Sequence, residues 1–138
     1  MKIKDSLINT AIQALLDSDI ITLNSNGIQI YPKEFKGYIS SFGASMIQSG
    51  LLPAVIFYEN SENASADRAL FIRAIILVLN RELGYNIDED ELFSTYIRNH
   101  QDNKSKLTAD VNKAAIALKL ALRVFKRGDI DNSNEEED

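Results

Sequence analysis

The chain has no cysteine, no tryptophan, one histidine and two prolines in 138 residues. Without cysteine there is no disulfide, no thiolate nucleophile and no zinc site with sulfur ligands. The one histidine, His100, sits between Asn99 and Gln101 with no serine or acid at a spacing that suggests a triad, so it reads as a surface-loop side chain. No apolar run is long enough to span a bilayer, because the richest one, Ala69 to Leu79, is short and interrupted by Arg73. The opening MKIKDSLINTAIQ lacks the apolar core and small-residue cleavage site of a secretory signal. A cytoplasmic location is therefore expected, and the sequons at Asn63 and Asn103 are expected to carry no glycan. No phosphate-binding loop is present either, since Gly43 and Gly50 bracket no lysine and follow no strand. Residues 129–135 start like an EF-hand loop but lack the glycine at its sixth place. The four acids Asp88 to Glu91 are adjacent, and adjacent residues on a helix point different ways, so they do not converge on a metal ion. With no visible nucleophile, metal set or acid/base pair, neither an enzyme nor a cofactor is expected.

What is present is the composition of an ordinary globular domain, 45% apolar and 25% charged, of a length suited to one core. The formal charge of -5 argues against a nucleic-acid partner until its distribution is considered. Residues 128–138, GDIDNSNEEED, hold Asp129, Asp131, Glu135, Glu136, Glu137, Asp138 and no base. Setting those six aside leaves 14 acids against 15 bases. The expected organisation is a helical domain over 1–127 and an acidic tail over 128–138, too polar to order itself.

Periodicity predicts an all-α, single-domain bundle of about six helices. Lys4 to Asp17 is amphipathic, with Leu7, Ile8, Ala11, Ile12, Leu15 and Leu16 on one face. Near residues 20–31 two β-branched runs flank Asn24-Ser25-Asn26-Gly27, which reads either as a short β-hairpin packed on the helices or as an irregular connector. A helix is expected from about Lys33 to Ser49, followed by a corner at Gly50-Leu51-Leu52-Pro53, where Gly50 can take a left-handed backbone and Pro53 fits the first turn of the next helix. Ala54 to Tyr58 has no polar group but the tyrosine hydroxyl and is expected to be buried on nearly every face. After a polar loop from Glu59 to Ser65, capped by Ser65 or Asp67, Ala66 to Leu83 is expected to be the central buried helix, stopped by Gly84. Arg73 on that helix must pair, snorkel or meet a partner, with Asp67 and Asp110 as candidate acids. A short helix with Asp88 as N-cap is expected to run to about Asn99, burying Leu92, Phe93, Tyr96 and Ile97. A polar loop to Thr108 and a last helix to about Arg127 complete the pattern, with Val111, Ala114, Ala115, Leu118, Leu122 and Phe125 facing inward.

Tyr38, the run Met46-Ile47-Gln48-Ser49-Gly50-Leu51, then Pro53-Ala54 and Phe57-Tyr58, together with a closing apolar helix from Ala114 that ends Leu-Ala-Leu-Arg-Val-Phe-Lys-Arg, resemble the small helical subunit of the CRISPR type III-B (Cmr) effector complex. The likeness spans roughly residues 4 to 127. It implies a non-catalytic subunit whose copies stack head to tail along the guide–target duplex, beside larger subunits that cut RNA. It also implies a basic surface lying along RNA, with partners among other Cmr subunits, copies of itself, and guide and target RNA, and no membrane. The candidate RNA-contacting residues are Lys119, Arg123 and Lys126, at i, i+4 and i+7, with Arg127 adjacent and Lys113 near the helix start. Lys104 and Lys106 in the preceding loop could add to the same side, and Lys33 and Lys36, one turn apart at the start of the corner helix, form a separate, smaller patch. Taken by themselves the residues read better as a solvated basic face, with Lys126 and Arg127 favoured at a helix C-terminus; it is the resemblance that raises the RNA reading. A helical protein–protein adaptor without RNA is the alternative reading, favoured by the net negative charge.

Overall fold

The computed structural model describes residues 2–60 and 66–128. The acidic tail beyond Gly128, and with it the partial EF-hand pattern, lies outside the described residues, as does Ser65. Six α-helices are present among the described residues: α1 Asp5–Asp17, α2 Glu34–Ser49, α3 Leu51–Glu59, α4 Ala69–Glu82, α5 Phe93–Asn99 and α6 Lys104–Leu122. A small sheet joins β1 Thr22–Leu23, β2 Gln29–Tyr31 and β3 Lys126–Arg127. The mostly helical bundle expected from the periodicity is what forms, and no helix among the described residues is long and apolar enough to cross a membrane.

The core is organised on α4, whose residues Phe71, Ile72 and Ala74 to Leu79 are all buried. It packs against α1, α2, α3 and α6, and α6 in turn packs on α1 and α2. Just before α4, which has Arg68 at its N-cap position, the Asp67 carboxylate accepts the Ala69 amide at 3.1 Å in a local turn. At the corner Gly50 takes φ 94°, a backbone that a side chain would strain, and its amide still closes α2 by donating to the Met46 carbonyl at 2.9 Å. Beneath the corner Phe42, Tyr58 and Phe71 meet with ring centroids 5.0 to 6.0 Å apart, Phe42 lying edge-on to both partners. The Tyr58 hydroxyl donates to the Tyr38 carbonyl, so the buried phenol is satisfied. Burial pushes its pKa up.

The hairpin forms where the Asn-Gly signal lies. Asn24 organises its turn twice: its side-chain oxygen accepts the Asn26 and Ile28 amides, and its backbone amide donates to Ile28. Antiparallel pairing sets Thr22 opposite Ile30. The third strand departs from expectation. The last helix ends at Leu122, not Arg127, through three successive i→i+3 bonds from Arg123, Val124 and Phe125. Those turns bury Phe125 and turn Lys126 and Arg127 into a strand parallel to β2. The Gly128 amide then reaches the Tyr31 carbonyl at 2.7 Å; a Cβ on Gly128 would lie 3.1 Å from that oxygen, so the approach suits glycine.

Four further expectations are corrected. The helix expected from Asp88 begins only at Phe93; Asp88 instead closes a turn, accepting the Asp90 amide at 2.9 Å. The α5 N-terminus is served from another helix, with the Glu59 carboxylate of α3 accepting the Ser94 amide at 3.2 Å. Leu92 is exposed rather than buried. Residues 104–108, expected as loop, already belong to α6. Arg73 pairs with neither Asp67 nor Asp110 but lies 3.7 Å from Asp19, with 47% of its side chain exposed. Such an exposed pair contributes little.

The segment after α4 depends on Asn80, whose side chain exchanges two hydrogen bonds with the backbone of Ile87, at 2.9 and 2.8 Å. Ile87 is buried, so removing both bonds leaves its amide and carbonyl without partners. Asn80→Ala is therefore expected to lower stability by about 2–4 kcal/mol, read as a lower urea midpoint at unchanged slope. A midpoint equal to wild type would show that water replaces the amide.

Candidate functional site

The basic residues singled out by sequence do not form one stripe. On α6, Lys106 and Lys113 are seven residues apart and share a face, but Lys119 is turned about a third of a revolution from them at 3.6 residues per turn. Lys126 and Arg127 leave the helix for β3. Lys104 and Lys33 are exposed at the starts of α6 and α2.

Lys36, Lys119 and Arg123 come together instead. Packing of α2 on α6 sets two one-turn pairs, Lys36 with Ser40 and Lys119 with Arg123, around a cleft of about 160 Å³. Ile39 and Leu122, both buried, form its floor, and Tyr31 of β2 closes one side. None of these three cations has an acid within ion-pair distance among the described residues. Three cations without a neutralising acid among the described residues, on a shared concavity, attract anions with several negative oxygens, phosphates above all. Lys36 and its meeting with α6 were not readable as a cluster, because the residues are more than eighty positions apart and only the helix packing joins them.

Lys106 has a different neighbourhood. Its ammonium donates to the Asp110 carboxylate at 2.7 Å, and the Tyr85 hydroxyl donates to the same oxygen at 2.6 Å. Burial pushes the Asp110 carboxyl upward, but the Lys106 and Tyr85 hydrogen bonds outweigh it and hold the group below the usual carboxylate range. The Asp110 bond raises Lys106, and burial, aided by Asp110, raises Tyr85. The positive charge of Lys106 is thus largely neutralised, and Lys113 acts on the same carboxylate. His100 borders the hollow beside this group, half-buried and stacked on Tyr96 at 3.9 Å between centroids, with Nδ1 2.8 Å from the Tyr96 carbonyl. It is thus a packed helix-end residue, not a free loop side chain.

Compared with known proteins, the chain matches no family model, no curated protein and no solved structure.

A second surface was not foreseen. The helix α3, expected to be buried on nearly every face, leaves Ile56 50% and Phe57 60% exposed. With Leu52 and Pro53 they line an open hollow of about 780 Å³. Arg68 closes its edge with its guanidinium 4.1 Å from the centre of the Phe57 ring, donating also to the Phe57 and Asn60 carbonyls. A wholly apolar segment carries no periodic signal, so nothing in its sequence distinguishes the covered side from the open one.

The Asp110 group yields a pH prediction. A carboxylate whose folded pKa is depressed contributes stability that is present above the unfolded value of about 3.9 and lost as pH falls through the lower folded value. Asp110→Asn is expected to lower the urea midpoint at pH 7, with the gap to wild type closing between about pH 5 and pH 2. A gap that stays constant over that range would show that the charge is not what matters.

Proposed function

We propose that this protein is a non-catalytic structural subunit of a type III-B CRISPR (Cmr) ribonucleoprotein complex, working in the cytoplasm and supporting target-RNA binding along the guide–target duplex. The observation that carries the reading is the convergence of Lys36, Lys119 and Arg123 on one cleft without neutralising acids among the described residues. The likeness of the corner and closing segments to the small Cmr subunit supplies the identity of the complex. Phosphate contacts position a nucleic acid without reading its sequence, which suits a subunit that must accept any target. The open face of α3 supplies the apolar contact that stacking against a like subunit or another Cmr subunit requires.

That same open face favours a second reading, a protein-only adaptor that docks a partner through Ile56 and Phe57. Nuclease treatment separates the two, because an association scaffolded by RNA loosens when the RNA is digested and a protein-only one does not.

The direct test is the triple variant K36E/K119E/R123E. It is expected to fold as wild type by circular dichroism and to bind single-stranded RNA at least tenfold more weakly at low salt. Its plot of log affinity against log salt is expected to be shallower by about 0.7 for each phosphate no longer neutralised, so by about 2 when all three cations are replaced. Wild-type affinity and slope would overturn the RNA role of this cleft.

A further inference from the structure

The hollow beside the Lys106–Asp110–Tyr85 group, about 300 Å³ in volume, shares no lining residue with the cationic cleft or with the open face of α3. Tyr85, Tyr96 and His100 bring three rings to its wall, and Asn86, Asn103 and Lys106 bring polar groups. Ring surface with a few polar groups, in a volume of about 300 Å³ or more, is the usual make-up of a small-molecule site. Several of these polar groups are unspent. Asn103 holds the N-cap position of α6, where an asparagine oxygen normally accepts an amide of the first turn, yet its side chain makes no cap bond. The Asn86 side chain has no hydrogen-bond partner among the described residues. His100 Nδ1 lies 2.8 Å from the Tyr96 carbonyl, which can only accept, so Nδ1 carries the proton and the neutral ring keeps Nε2 as an acceptor. Lys106 donates to Asp110 and, at 3.5 Å, to the Tyr85 hydroxyl, which leaves a third N–H.

We propose that this hollow binds an uncharged planar heteroaromatic ring of the nucleobase class, carried by a free nucleoside or by an unpaired base of a strand, with the ring stacked on the Tyr96–His100 pair and its polar edge met by Asn86 and Asn103. Charge decides against an anion here, because Asp110 offsets the Lys106 ammonium at 2.7 Å. Flatness follows from the wall, where Tyr96 and His100 already lie nearly parallel at 3.9 Å between centroids and a flat ligand extends the stack. Each asparagine amide presents a donor and an acceptor in one plane, which matches the edge of a base. The walls are also set before any ligand arrives, since Asn80 holds the backbone of Ile87 and the Tyr85 hydroxyl is bound to Asp110. A pre-formed site loses less on binding than one that must order itself. The inference stands on the hollow alone and does not rest on the RNA role of the cationic cleft.

His100 is the one histidine of the chain, so the imidazole signals of the untagged, full-length protein report on this hollow without ambiguity. Adenosine, an uncharged probe that the cationic cleft does not attract, is expected to move those signals upfield and saturably in a ¹H–¹⁵N correlation spectrum. A Kd of about 0.1–1 mM is usual for a ligand of this size. Ribose alone is expected to leave the signals in place. Asn86→Ala and Asn103→Ala, both at exposed side chains, are each expected to weaken adenosine by about threefold to tenfold at an unchanged urea midpoint. No saturable shift with adenosine up to about 10 mM, an equal response to ribose, or wild-type affinity in both variants overturns the proposal. Displacement of adenosine by a ten-nucleotide oligoadenylate identifies a strand's base as the occupant, and no displacement identifies a free nucleoside; both sustain the site. K36E/K119E/R123E is expected to keep the adenosine response, so loss of RNA binding in that variant leaves this site standing. A wild-type protein that binds RNA but shows no adenosine response removes this site alone.

Discussion

Phe42, Tyr58 and Phe71 meet where α2, α3 and α4 converge, and the relative placement of these helices follows from that contact. Each ring comes from a different helix, so deleting one opens a cavity costing about 3–5 kcal/mol, a large share of the roughly 5–15 kcal/mol that keeps a domain folded. Gly50 makes the meeting geometrically available by reversing the chain at φ 94° between the first two rings. With α2 held in this way and packed on α6, Lys36 is brought opposite Lys119 and Arg123. The cationic cleft is thus a consequence of an apolar contact on other turns of the same helices.

Much of this was legible in the chain, for local reasons. The α1 stripe, the all-round apolar character of α4 and the Asn-Gly turn each declare themselves within a dozen residues, and Gly50 marks the corner through the backbone conformation that it tolerates and other residues resist. The departures share a different cause. Whether Phe125 ends a helix or continues it depends on β2 being available to pair with Lys126 and Arg127, which is a contact across nearly a hundred residues. The start of α5 is set by Glu59 on α3, not by the acids beside it. Arg73 finds Asp19 at the turn after α1, where the backbone takes φ 69°. In each case a local signal of moderate strength gave way to a tertiary partner that no window of sequence contains.

The site is less legible than the fold for the same reason. Helical spacing groups Lys119 with Arg123 but gives no indication that Lys36 joins them or that Asp110 neutralises Lys106. Four of the charges that look alike in sequence therefore separate into two environments: a cleft where cations have no acid within ion-pair distance among the described residues, and a hydrogen-bonded group where one is already spent on a buried carboxylate. The open apolar side of α3 lies on a different element from the cleft. An open apolar face and a cationic cleft on separate elements of one small bundle suit the proposed scaffold role, since a contact at one need not displace a contact at the other.

The measurement that tests the central claim most directly is mild affinity purification of the protein from its native cells, with mass spectrometry of its partners and sequencing of bound RNA. Recovery of larger CRISPR subunits together with repeat-derived guide RNA is predicted, with release of the protein on nuclease digestion. A stoichiometric protein complex without RNA, indifferent to nuclease, would contradict that claim.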